Sequence, residues 1–192
     1  MHQSALSVLI PAAGASKRLG QAKQLVKYNG ISLIQNAMNI AGSITPLEII
    51  VVTGANAKAV RDAVEQPPAH WIHNPQWSGG MGGSIAVGAS AINPESTGLL
   101  ILLCDQYRVD AHDLQELVRI WQSDPGRIVA AESEGCMMPP VIFPARCFKQ
   151  LKCLEGNHGA RSLFSAYPEL LTPVAMKNAA FDLDTQTHLK TL

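Results

Sequence analysis

The strongest constraint on the fold of this chain lies at one junction. An apolar run at residues 5–10 leads straight into Pro11-Ala-Ala-Gly-Ala-Ser-Lys-Arg-Leu-Gly-Gln-Ala-Lys-Gln24. The run is short, continuous and bounded by turn residues, so it reads as a buried strand. Small residues after it let backbone come close to a ligand, and a turn rich in exposed N–H groups forms an anion-binding concavity. Arg18 and Lys23 add full positive charge, with arginine suited to forked phosphate contacts. Ala12, Ala13, Gly14, Ser16, Arg18 and Lys23 are therefore the candidate cradle for a triphosphate at the carboxyl end of the first strand. Lys17, Arg18, Lys23 and Lys27 all precede the first acidic residue, Glu48. The alternative is a solvated turn carrying surface lysines. Neither a P-loop nor a GxGxxG fingerprint is present.

The rest of the chain alternates. Apolar positions 31, 34, 37, 38 and 41 predict a helix over 31–41 closed by Gly42, and residues 47–52 predict a second buried strand. A helix over 55–64 ends before Pro67 and Pro68, and His70–His73 is a short strand. A small-residue helix runs from Ser84 to about residue 92. Residues 99–104 are the strongest strand signal, followed by a helix at 110–122 and a strand at 127–131. With 192 residues there is room for one domain, 1–192, of the α/β class. The expected fold is a Rossmann-like three-layer domain whose mostly parallel sheet is covered on both faces.

Charge and cysteine usage exclude several functions. Fifteen basic residues balance fifteen acidic ones, so nothing draws the chain to nucleic acid or a membrane surface. No apolar segment approaches membrane-spanning length, and the N-terminus lacks the basic start of a secretory signal. Cys104, Cys136, Cys147 and Cys153 form no CxxC pair and read as reduced thiols, which makes the cytoplasm the expected compartment. The histidines show no metal spacing, and His112 and His188 read as surface residues.

Asp105 follows the strongest strand, at the place where open α/β sheets bind ligands. Beside a triphosphate it would hold Mg²⁺, a hard cation that prefers carboxylate and phosphate oxygens. Its other reading is a turn or cap, although Asp110 and Asp113 stand closer to the next helix. The glycine-rich stretch 74–84 feeds a helix and is either a second ligand-facing loop or a helix entry that needs room.

Residues 11–23 resemble the L-A-A-G-x-S-x-R-x-G-x-x-K signature of the MobA-like nucleotidyltransferases, and most of all the branch containing molybdenum cofactor cytidylyltransferase. Asn74, Trp77, Gly80, Met81, Ser84 and Gly88 match its N-x-x-W-x-x-G-M-x-x-S-x-x-x-G segment, which implies that Gly80 and Ser84 face the nucleoside. Cys104-Asp105-Gln106-Tyr107 corresponds to G-D-Q-P. Pro140, Val141 and Phe143 align with G-H-P-V-L-F, with Met138 and Pro139 in place of Gly-His. Leu154, Gly156, Gly159, Ala160 and Arg161 follow L-x-x-L-x-G-D-x-G-A-R, with Asn157 replacing Asp.

The segment 181–185 resembles D-I-D-T, so Asp184 is implied as a second Mg²⁺ carboxylate, or else Asp184 or Thr185 caps the helix Gln186–Leu189. Asp182 is a weaker metal candidate. Pro140 and Arg161 are implied on the acceptor side, with Arg161 either orienting an anion or tying the structure. The resemblance implies transfer of CMP from CTP, with Mg²⁺, onto a small molybdopterin-type phosphorylated acceptor, with Arg18, Lys23 and Asp105 catalytic. It also implies a protein partner that receives the finished cofactor. The alternatives are a GTP- or sugar-phosphate-using enzyme of this fold and a non-catalytic nucleotide or cofactor binder, which the departures at Tyr107, Met138, Pro139 and Asn157 favour.

Overall fold

In the computed structural model, which describes residues 5–65, 67–157 and 159–189, the first strand β1 (Leu6–Ala12) lies in the interior of the sheet, third of its seven strands. It has apolar neighbours on both faces, as a buried parallel strand requires. A two-residue hairpin, β2 (Lys27–Tyr28) with β3 (Ile31–Ser32), precedes α1 (Leu33–Ser43). The predicted helix start at 31 is thus two residues early. Ser32 ends the hairpin and caps α1, its hydroxyl accepting from Gln35 N at 3.3 Å. Gly42 lies inside α1 rather than closing it.

There follow β4 (Glu48–Thr53), α2 (Ala57–Asp62), β5 (His70–His73), α3 (Met81–Ser90) and β6 (Gly98–Ile101). The strand β6 is shorter than the predicted 99–104, although Leu102 N still donates to Leu9 O at 3.0 Å. Next are α4 (Ala111–Ser123), β7 (Ile128–Ser133), β8 (Cys136–Pro144), α5 (Phe148–Leu151), α6 (Arg161–Ala166), β9 (Leu171–Ala175) and α7 (Gln186–Leu189).

Strand order is β5-β4-β1-β6-β8-β7-β9. Six strands run one way, and β8 runs against both of its neighbours. Its hairpin with β7 turns at Glu134 and Gly135, both in the left-handed region, as a tight primed turn demands. Neither β8 nor β9 was predicted as a strand.

The sheet has a core on each side. Val8, Ile10, Val51 and Leu100 pack with α1, α2 and α4, while Leu9, Ile50, Val52 and Phe143 pack with α3, α5 and α6. This is the expected three-layer α/β domain. Among the described residues no helix is long and apolar enough to cross a membrane.

Candidate functional site

Parallel strands end their ladders at one edge of the sheet, and the segments leaving that edge build the site. The chain leaving β1 turns sharply at Ser16, whose carbonyl accepts from Leu19 N and Gly20 N at 3.0 and 3.2 Å. Ser16 Oγ accepts from Lys23 N at 3.1 Å. The buried Gln24 amide donates to Ala12 O and to Gly14 O, both at 3.0 Å, clamping the loop from beneath. A cavity of about 360 Å³ lies over this turn, with Ala13, Gly14 and Ser16 on one side and Trp77, Gly80 and Ser84 on the other.

Gly80 needs its missing side chain twice over. Its φ is +116°, and a Cβ there would collide with the Gly156 carbonyl. Ser84 Oγ accepts from Asn74 Nδ2 at 3.1 Å, tying the loop to the helix it feeds. Ala13, Gly14, Ser16, Gly80 and Ser84 thus come together around one space, whereas Ala12 is buried in the core and meets the loop through its carbonyl bond to Gln24.

Beside it, a space of about 240 Å³ is lined by Ser16, Arg18, Lys23 and Asp184. The Lys23 ammonium bonds the Asp105 carboxylate and stands 3.4 Å from Asp184 Oδ1, while Arg18 Nη2 reaches Asp184 Oδ2 at 3.3 Å. Residues 161 positions apart in sequence therefore share one charge cluster. Burial opposes the charge on Lys23, but the Asp105 carboxylate, with help from Asp184, holds the ammonium up to about 12. It stays charged at any working pH.

Lost solvation and the like charges of Asp184 and Asp105 push the Asp182 carboxyl upward, so three carboxylates feel one another here. Burial first, and Asp105 second, drive the Cys104 thiol up to about 12, which leaves it an inert neighbour. All four cysteines are free thiols.

The structure shows which residues cap the helices, while Asp105 itself stands in a turn beyond β6. Asp110 and Asp113 form a reciprocal capping box on α4, so Asp105 is no cap. Thr185 Oγ1 accepts from His188 N at 3.4 Å at the start of α7, which leaves the Asp184 carboxylate to Arg18 and Lys23. His112 and His188 are exposed, as expected.

Other positions differ from expectation. Pro140 is buried, and it is Pro139 that lines an adjoining cavity together with Arg161. Arg161 is exposed, and its side chain makes no hydrogen bond or ion pair among the described residues.

Sequence reasoning gave no role to Gln24 or Gln106. The Gln106 amide donates to Pro139 O at 2.6 Å and Ala179 O at 2.7 Å, and Leu183 N donates to Asp105 O at 3.0 Å. These bonds hold the Asp105 turn, the β8 wall and the segment carrying Asp184 as one piece. Gln106→Glu would set a carboxylate against two carbonyl oxygens, so a loss of about 3 kcal/mol is expected at neutral pH. Burial raises that carboxyl, and once protonated it donates again. The deficit is therefore greatest above its folded-state pKa and shrinks as pH falls, which thermal melts across a pH series would read.

Comparison with known proteins follows the same lines. The family described as MobA-like NTP transferase domain matches residues 8–170. Nicotine blue oxidoreductase of Paenarthrobacter nicotinovorans is 34% identical over 188 residues, covering 92% of this chain and 89% of its own. Purine catabolism protein PucB of Bacillus subtilis is 27% identical over 172 residues, covering 81% and 78%. Among solved structures, Rv0371c of Mycobacterium tuberculosis H37Rv has a TM-score of 0.86 at 22% identity, over 98% of both chains. Its complex with manganese has a TM-score of 0.83 at 21% identity, over 98% of this chain and 97% of that one.

Proposed function

Because the chain belongs to the MobA-like NTP transferase family, a family of nucleotidyltransferases, we propose that it moves CMP from CTP onto a small phosphate-bearing acceptor, releasing pyrophosphate. The observation that carries this reading is the convergence of Arg18, Lys23, Asp105 and Asp184 beside the glycine-lined cavity. The nucleoside lies between Ala13–Gly14 and Gly80–Ser84, with its phosphates running toward Arg18 and Lys23. CTP rests on the PAAG form of the first motif. The molybdopterin class of acceptor, and a protein that takes the product onward in the cytoplasm, are implied by the resemblance alone, and the apolar recess next to the nucleotide space favours a different class of acceptor.

The residues fit a hard divalent cation, for Asp105 and Asp184 already turn their oxygens to one cation, the Lys23 ammonium. No group of three or more ligating side chains occurs among the described residues, so phosphate and water oxygens would complete the shell. The manganese complex of a relative of this fold supports a divalent ion. Mg²⁺ held by Asp105 and Asp184 would neutralise phosphate charge as the reaction proceeds.

An acceptor phosphate oxygen forms a bond to the α-phosphorus of CTP. The bond from that phosphorus to the bridging oxygen breaks, and pyrophosphate leaves with the electron pair. Arg18 and Lys23 stabilise the charge gathering on pyrophosphate, and the clamped Ser16 turn fixes the phosphates in line. No side-chain nucleophile is required.

Calorimetry of CTP, GTP and ATP with and without Mg²⁺, on wild type and Asp105→Ala, tests the reading. Binding of CTP above the others, weakened by removal of Mg²⁺ or Asp105, is the expected result. Preference for GTP would remove the cytidylyl assignment, and absence of all three would remove the donor site. One relative carries the name of an oxidoreductase, so a nicotinamide dinucleotide belongs in the same titrations. Tighter binding of that dinucleotide than of any triphosphate would replace transfer with redox chemistry.

A further inference from the structure

A second cavity, of about 220 Å³, opens beside the nucleoside space, and Met81 and Asn157 border both. Its walls are Ile85 of α3, Ile101 and Leu103 at the end of β6, Pro139 and Val141 of β8, and Phe164 of α6. Phe164 is itself held flat against Phe143, with ring planes 14° apart and centroids 6.1 Å apart. Among the described lining residues Asn157 and Arg161 supply the polar side chains, and none of those residues is a carboxylate or a histidine. Arg161 stands exposed with its guanidinium unpaired among the described residues.

These walls discriminate by chemistry. A ring rich in N–H and C=O edges would surrender its water here and find few partners, which is costly. An apolar ring gains by the same burial. The volume is below the roughly 300–1,000 Å³ that drug-sized ligands occupy, so it suits one or two fused rings.

We propose that this cavity takes the body of the acceptor, that the body is a flat apolar system of one or two rings, and that Arg161 receives its phosphate. The proposal rests on the nucleotidyl-transfer reading, since that reaction needs an acceptor next to the nucleotide.

Calorimetry on the full chain with 1-naphthyl phosphate, ribose 5-phosphate and 6-hydroxymethylpterin separates the contributions of body and anion. The naphthyl compound is expected to bind at least about tenfold more tightly than either of the others. Leu103→Gln, which puts an amide into the apolar wall, is expected to weaken it about tenfold while CTP binding stays unchanged. Arg161→Gln, at an exposed position that cannot unfold the chain, is expected to weaken it as well.

Equal or tighter binding of the pterin or the sugar phosphate would overturn the proposal. So would failure of 1-naphthyl phosphate to bind, or indifference to both substitutions, in protein that still binds CTP. Binding of 1-naphthyl phosphate with no triphosphate bound would instead overturn the nucleotidyl reading on which the acceptor role depends.

Discussion

Replacing Lys23 by methionine is expected to lower nucleotidyl transfer by about 10²–10³-fold, the scale of losing one preorganised charge at a reacting centre. In the free protein this ammonium lies between Asp105 and Asp184, with about a fifth of its side chain exposed. Once a triphosphate occupies the turn, the same charge is positioned for the departing pyrophosphate. Methionine keeps the stem and the packing but removes the charge, so the loss reports electrostatics rather than shape.

Stability should fall as well, because a buried carboxylate loses its partner. Asp184 remains partly solvated, and only Asp105 is left buried without its partner. Because the folded-state pKa of Lys23 is raised from 10.5 to about 12, its stabilising contribution is complete below 10.5 and fades as pH climbs through about 12. Wild type and variant should therefore converge in alkaline melts over that window. Steady-state pyrophosphate release and thermal melts together decide the matter. Undiminished turnover in Lys23→Met would falsify the catalytic role assigned to this residue.

Trp121→Ala should cost about 3–5 kcal/mol and lower Tm by about 10 °C, a deficit to be read by calorimetry or denaturant titration. The indole is fully buried where α4 crosses the sheet. It presses against Gly98 so closely that a Cβ there would overlap the ring. Few positions would leave a larger hole, since backbone cannot relax into the space a whole indole vacates. Gly98 opens β6, whereas Asp105 lies beyond that strand's other end, so activity measured well below the new Tm should be nearly that of wild type. A Tm loss of only a degree or two would mean that the layers re-close around the gap.

Much of this could be read from the sequence, for local reasons. The β1 run, the glycines at its end and the basic residues beyond them are neighbours in the chain, so their joint meaning is visible in one window. β8 escaped because its alternation is interrupted by Met137-Met138-Pro139-Pro140, and prolines argue against an interior strand. Pro173 obscured β9 in the same way, although β9 lies at the sheet edge, where a missing donor is tolerated. Gln24 and Gln106 were illegible for a different reason. A glutamine announces neither burial nor partner, and Gln106 meets carbonyls 33 and 73 residues away, which only the fold brings near. For Asp184 the sequence left open whether it or Thr185 caps the last helix, and only the fold shows Thr185 doing so.

The reversal of β8 has a consequence for how such a protein changes over evolutionary time. Where parallel strands end, a site is ordinarily fenced by loops, and a new specificity means rebuilding a loop along with its mobility. Here an oppositely directed strand begins at that edge, and Val141, paired with Ile101, is fixed by the ladder. Pro139 is held by its carbonyl bond to Gln106. Single substitutions at those two positions recut the shape of the recess without loosening it. A lineage can therefore reshape that recess while the charge cluster around Lys23 stays untouched.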